Sequence, residues 1–386
     1  MELRPGSPPA RDVESDPLLL AAIRDEIAAA GPMTFARFME VALYDPARGY
    51  YRGAVPRPGR AGDYLTAPEA SPIFGRTLAR FATAVHAAIG APVTFTIREH
   101  GAGTGALAAP LVEALLAADE APTFVRYLVA EVEPDRVTAV RTAVEAAAGE
   151  RAVVEPDDGR LIDGLVIANE VLDALPTHRV VRRGDLLREI LVDNGSDGAL
   201  VDREAALTTR VLADRLTSES IELADGQHAE ICLAVDGWVA RAAAGLARGV
   251  LLLIDYGHPA AELYDARRRA AGTLATYLGH RVGEEPYQAI GRQDVTAHVD
   301  VTAVERAAVR AGLDHLGTVT QAEFLSRLGA GELLVADQTG PTASLQAYLE
   351  TRSALVRMID PGAMGRFRVM AFGRGLQPGI RLVGLD

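Results

Sequence analysis

The chain has 386 residues, a formal charge of −13 and 49% apolar side chains, enough for one large domain or two ordinary ones, and its acidity speaks against nucleic acid as a partner. One cysteine, Cys232, excludes an intrachain disulfide and a thiolate cluster, and the eight histidines show no compact ligand spacing, so no metal is expected. No run approaches 18 apolar residues, so no membrane insertion is expected.

Residues 1–15, rich in proline and charge, read as a disordered lead without an apolar signal core, which makes a cytoplasmic location the expectation. Asp16-Pro17 is an N-cap followed by an N1 proline and opens a helix through Leu19, Leu20, Ile23 and Ile27, stopped by Gly31-Pro32. A second helix starts near Thr34, with Phe35, Phe38, Met39, Ala42 and Leu43 along one face. Residues 45–75 are loop-like, glycine-punctuated and aromatic. A loop this long in a compact chain is usually functional, and Tyr51, Asp63, Tyr64, Thr66, Pro68 and Glu69 are its candidate lid or substrate residues. Phe74 to Ile89 reads as a helix leading into an apolar strand at Val93 to Ile97.

That strand runs into Glu99-His100-Gly101-Ala102-Gly103-Thr104-Gly105. Alternating glycines let a backbone turn and approach a ligand closely, and the helix that follows aims its N–H groups at that place. Three readings compete. Gly101, Gly103 and Ala106 satisfy the dinucleotide spelling; the run could be a tight turn; or Glu-x-Gly-x-Gly-x-Gly is the S-adenosylmethionine (SAM) pattern of methyltransferases. The acid favours the last, because it suits a cationic ligand and repels a pyrophosphate. Glu99, Gly101, Gly103, Thr104 and Gly105 are therefore candidate SAM ligands.

Strand and helix patterns then alternate. Ala106 to Ala118 is helical, Phe124 to Ala130 a strand ending at Glu131, and Asp135 to Ala148 helical. Strands follow at Arg151 to Val154, at Leu161 to Ala168 ending in Asn169-Glu170, and at Val250 to Ile254 ending in Asp255-Tyr256-Gly257. This rhythm predicts an α/β, doubly wound Rossmann-like sheet with its ligand at the carboxyl ends of the strands. A hairpin at Arg179 to Val192 interrupts it, within an insertion over about 177–235. Glu131 stands where a carboxylate would take ribose hydroxyls, with Glu133 a competitor; Asp157 and Asp158 either meet an adenine or form a surface turn. Asn169 and Glu170 fall on the ligand edge as candidate cofactor-binding residues, and Glu170 with Asp173 could hold a cationic acceptor, or the cluster could simply cap a short helix. Asp255 and Tyr256 are further candidate substrate or lid residues, while His280 and His298 are candidate bases.

Taken together, these blocks resemble the MidA-like family of SAM-dependent methyltransferases, which includes the mitochondrial complex I assembly factor. The resemblance runs in order through Gly31-Pro32-Met33-Thr34-Phe35, Leu43-Tyr44-Asp45-Pro46, Gly62 to Gly75, the glycine turn, Asn169-Glu170 with Asp173-Ala174-Leu175-Pro176, Ile254 to Gly257 and Asp294 to Asp300. It implies a seven-stranded class I methyltransferase sheet. Residues 16–90 would be an N-terminal helical cap and lid loop, and 91–386 the SAM domain. For the mitochondrial members it also implies methyl transfer to an arginine of a complex I subunit, whereas for many bacterial members the acceptor is open. His100 stands where the family has a small or apolar residue, and Val171-Leu172 replaces a pair of phenylalanines, which reshapes the acceptor pocket. Two rival readings follow: a small-molecule O- or C-methyltransferase, and a non-catalytic assembly or docking protein.

Overall fold

The computed structural model describes residues 13–52, 65–131, 133–339 and 344–385. Most of the lead, together with Asp63 and Tyr64 of the expected lid, lies outside the described residues. Seven strands build the main sheet: β1 (Thr94–His100), β2 (Phe124–Ala130), β3 (Ala152–Pro156), β4 (Ile162–Asn169), β5 (Leu246–Asp255), β6 (Asp314–Thr320) and β7 (Arg368–Arg374). Their order is β6-β7-β5-β4-β1-β2-β3. Strands β1 to β5 run parallel to one another, and β7 is antiparallel to both β5 and β6.

Val250 to Ile254 and Leu165 to Ile167 are continuous apolar runs because both faces of the sheet are covered. Helices Ile73–Ala88, Ala108–Leu116 and Pro134–Ala148 cover one face. Helices Ala234–Ala244 and Val301–Arg310 cover the other. Strand order reverses between β1 and β4, which opens a crevice at their carboxyl ends.

The expected hairpin is present as His178–Arg183 paired with Leu186–Asn194. Leu200–Ala205, His228–Ile231 and the short Met33–Thr34 extend it to five strands. A three-stranded sheet, Ala275–Leu278, Arg281–Gly283 and Asp294–Thr296, lies beyond β5 in sequence. Packing divides the chain differently from the expected boundary at residue 90. Leu19, Ile23, Phe35 and Phe38 share a core with Val192, Leu200, Ile290 and Val295, so the first two helices join the inserted lobe. Ile73, Phe74, Leu78, Phe81 and Val85 instead bury a helical stripe against the main sheet. A second stretch, after β5, adds Ile290 and Val295 to the same lobe core.

Candidate active site

The glycine turn follows directly from β1. Gly101 and Gly103 have φ of +70° and +56°, values open to glycine at little cost. A Cβ on Gly101 would stand 2.8 Å from the Val171 side chain, whereas one on Gly103 would meet nothing within 4 Å. The first glycine thus admits the neighbouring loop, and the second leaves room for a ligand. Gly105 also turns left-handed but packs towards Val140, away from the cavity wall.

The turn forms one wall of a cavity of about 840 Å³, within the range of cofactor sites. Glu99, Gly101, Gly103, Thr104, Glu131, Asn169, Glu170 and Val171 line it, with Tyr51, Thr66, Pro68 and Glu69 from the N-terminal segment. Glu131 accepts a hydrogen bond from the Gly103 N–H at 2.6 Å. Glu133 pairs with Arg52 at 3.4 Å, and of these two acids only Glu131 lines the cavity. Asp157 lines the cavity and is held by the Arg98 guanidinium at 2.9 Å, whereas Asp158 is an exposed partner of Arg160.

Glu99 is buried, and the Tyr127 hydroxyl donates to it at 2.6 Å. Burial, opposed by that bond, pushes its carboxyl up to about 8. A cationic ligand group beside it would favour the charged form. From the opposite wall, Glu69 accepts from the Thr104 hydroxyl at 2.5 Å, and the Ala67 N–H reaches Glu170. The short helix Ala67–Ala70 therefore touches both the glycine turn and the far end of the site. Adding S-adenosylhomocysteine is expected to slow amide exchange across Thr66 to Glu69; equal exchange with and without it would contradict a lid.

At the far end β4 stops at Asn169, and Glu170 adopts φ of +53°. Asp255, at the end of β5, accounts for this turn. Its Oδ2 accepts the backbone N–H groups of Val171, Leu172 and Asp173 at 3.2, 2.8 and 3.3 Å. Its Oδ1 accepts from Tyr256 N at 2.8 Å. Asp255 is therefore a buried strut beneath the turn and does not line the cavity, contrary to its expected place among the substrate residues. Asp173 is likewise buried off the wall, hydrogen-bonded by the Tyr256 hydroxyl, and Tyr256 is itself off the wall. Leu172 points into the core behind the sheet, so only Val171 of the expected pair shapes the cavity.

Burial pushes the Glu170 carboxyl up to about 8, with nearby Asp173 adding to the effect. Asp173 is pushed up to about 6 by burial, against the Tyr256 hydrogen bond. Asp255 is raised by burial and by both of these neighbours. The three carboxyls therefore do not all carry charge at neutral pH. Tyr44 and Tyr51 stack with ring centroids 5.4 Å apart at the same end. The Tyr51 hydroxyl donates to Asp294, and that of Tyr44 to the Ala174 carbonyl. The result is a chamber walled by tyrosines and backed by acids.

Neither candidate histidine enters it. His280 is exposed at the tip of the hairpin between Ala275–Leu278 and Arg281–Gly283. His298 packs against Tyr256 and His258, and burial beside cationic neighbours lowers it to about 4. Sequence reasoning missed Tyr44 and Trp238 as wall residues. Trp238 packs edge-on against His100 at 5.1 Å, so the unusual histidine is part of the cavity wall.

A switch-point crevice with a left-handed glycine turn, a turn-facing acid on the next strand and a buried acid beneath defines the cofactor site of a SAM-dependent methyltransferase. The Asn169 Oδ1, buried on the wall without a hydrogen-bond partner among the described residues, leaves an acceptor for a bound group. Comparison with known proteins agrees: the S-adenosyl-L-methionine-dependent methyltransferase family matches residues 77–319, and the chain belongs to that family. A Burkholderia thailandensis structure bound to S-adenosyl-homocysteine is 34% identical, superposes with a TM-score of 0.87, and matches over 98% of this chain and 97% of that one. Mitochondrial protein arginine methyltransferases of Drosophila melanogaster and Homo sapiens are 27% and 26% identical. Each alignment covers 95% of this chain, and 86% and 85% of the relative respectively. SAM is the cofactor, and MidA-like is the group the chain falls in.

Proposed function

We propose that the acceptor is an arginine side chain of a protein partner, held in the chamber by Glu170. The observation that carries this is a half-buried carboxyl on the cavity wall, on a left-handed residue and backed by the buried Asp173 and Asp255. A guanidinium is protonated below about pH 12, so it must be bound as a cation and lose a proton before nitrogen can form a new bond. Bound at the glycine turn, SAM supplies a methyl group on a positively charged sulfur. Glu99, Gly103, Thr104, Glu131 and Asn169 would hold it. Ionised Glu170 pairs with the guanidinium and takes the N–H proton as the nitrogen becomes a nucleophile. Asp255 fixes the Glu170 turn, and Asp173 keeps the local field negative. Tyr44 and Tyr51 offer aromatic faces suited to a planar cation. In this reading the N-terminal helices and inserted lobe act as the cap of a class I methyltransferase sheet.

The site also predicts a pH dependence. Protonated Glu170 can neither clamp a cation nor accept its proton, and protonated Asp173 no longer adds negative charge behind it. Transfer should therefore rise with pH between about 6 and about 8. The profile of kcat/KM reports the free enzyme and that of kcat the complex. A cation in the chamber favours the carboxylates, so the kcat profile should lie at lower pH. A flat profile over this window would contradict the assignment.

The identity of the acceptor class is tested with tritiated SAM and a cell lysate, separated into protein and small-molecule fractions. Label in protein supports the arginine reading. Label only in small molecules would favour a biosynthetic O- or C-methyltransferase, and label in neither, with SAM binding intact, a docking protein.

A further inference from the structure

Next to the acidic chamber, on the same carboxyl edge of the sheet, lies a cationic cluster that the reaction does not use. Arg368 is the register partner of Asp255 on the antiparallel β7, and Arg366 precedes it by two residues. From the segment after β5, His258 accepts a hydrogen bond at Nε2 from Arg269 at 2.7 Å. That places the ring proton on Nδ1, which faces Glu262 at 3.3 Å. Arg368 approaches the same Glu262 carboxylate at 3.5 Å. Among the described residues, Glu262 is the one carboxylate within 4 Å of the Arg368 guanidinium. Arg269 makes its other contact with the Glu262 backbone carbonyl. Neither Arg269 nor the exposed Arg366 has a carboxylate within 4 Å among the described residues.

The surroundings bear out the excess of positive charge. Burial together with Arg268 and Arg366 lowers the Arg269 guanidinium below its ordinary value. This happens in a chain whose formal charge is −13, where unpaired arginines could easily have found acids. Tyr256 joins the two regions. Its hydroxyl bonds Asp173 on the chamber side, while its ring packs against His298 and Phe367, each at 5.4 Å, on the cationic side. An acceptor that places a cation in the chamber is therefore offered complementary positive charge one aromatic layer away.

We propose that the cluster of Arg269, Arg366 and Arg368 recognises carboxylates flanking the target arginine, so that the enzyme selects arginines in acidic segments of its protein partner. This rests on the arginine reading above. An extended peptide advances about 3.3 Å per residue, so the recognised acid lies within a few positions of the target. Such rim charges act on selection and encounter more than on the chemical step.

The test uses the full chain loaded with S-adenosylhomocysteine and three fluorescent peptides: arginine flanked by glutamates, arginine flanked by glutamines, and alanine flanked by glutamates. The glutamate-flanked arginine peptide should bind about 5- to 20-fold more tightly than the glutamine-flanked one, as expected for two or three partly exposed charge pairs. Added salt should shrink that preference. Arg366→Glu should abolish it while leaving S-adenosylhomocysteine affinity and the glutamine-flanked peptide unchanged. Because Arg366 is exposed, this variant should fold normally. Equal binding of the two arginine peptides, or a preference that survives Arg366→Glu, would overturn the proposal alone. Equal binding of the arginine and alanine peptides flanked by glutamates would overturn the arginine reading, and the proposal with it.

Discussion

Replacing Glu131 by alanine should weaken SAM and S-adenosylhomocysteine binding by roughly 30- to 1,000-fold. The carboxylate does two jobs in this account. It accepts the Gly103 N–H at 2.6 Å, which fixes the glycine turn, and it faces the cavity where ribose hydroxyls would donate to it. Each charge-assisted bond contributes about 1.5–3 kcal/mol. With a discount for partial exposure, two of them amount to about 2–4 kcal/mol, which is the affinity range given. The substitution lies at a strand end and removes no core side chain, so the fold should persist. Calorimetry on the folded variant measures the effect directly. Unchanged affinity would show that another residue holds the ribose and that Glu131 serves only the turn.

Glu170→Gln should have the opposite signature. The amide keeps the size and can keep the hydrogen bonds to Asn169 and Ala67, but it loses the negative charge and the proton-accepting oxygen. Cofactor affinity should stay within about threefold, while kcat falls by about 10²- to 10⁴-fold, the usual range for removing a general base. Asp173→Asn should lower transfer less, because Asp173 is off the wall and acts through Tyr256 and the local field. A Glu170→Gln enzyme that turns over normally would remove Glu170 from the chemistry. Equal losses from both variants would point to a shared structural role for the turn.

The cofactor half of this site was legible in the sequence because it is local. A strand, an acid and three alternating glycines occupy one short run, and Glu131 ends the next strand. Their positions follow from strand alternation and from the parallel pairing of β1 with β2. The acceptor half was harder because neighbouring residues take opposite roles. Glu170 and Val171 face the cavity while Leu172 and Asp173 turn away, and the spelling alone does not say which way a non-regular turn rotates. Asp255 was misplaced for a related reason. An acid at a strand end can face a ligand or accept backbone N–H groups beneath a loop, and only the register of β4 against β5 decides. The histidines depend on still longer-range packing: His280 is carried outward by a hairpin, and His298 is buried against Tyr256. Tyr44 and Trp238 arrive from helices far apart in the chain, and nothing in their local sequence marks them as wall residues. The N-terminal helices read correctly as helices, but their partner, the inserted sheet, was set by pairing of Met33 and Thr34 with Val192 and Leu191.

The most direct test of the account is the chemical position of the transferred methyl group. Protein labelled with tritiated SAM should be hydrolysed to amino acids and chromatographed beside methylated standards, with the parent enzyme and Glu170→Gln run in parallel. The account predicts tritium in N-methylated arginine, formed by the parent and nearly lost with Glu170→Gln although that variant still binds SAM. Tritium in any other amino acid, or methylarginine formed equally by both enzymes, would contradict it.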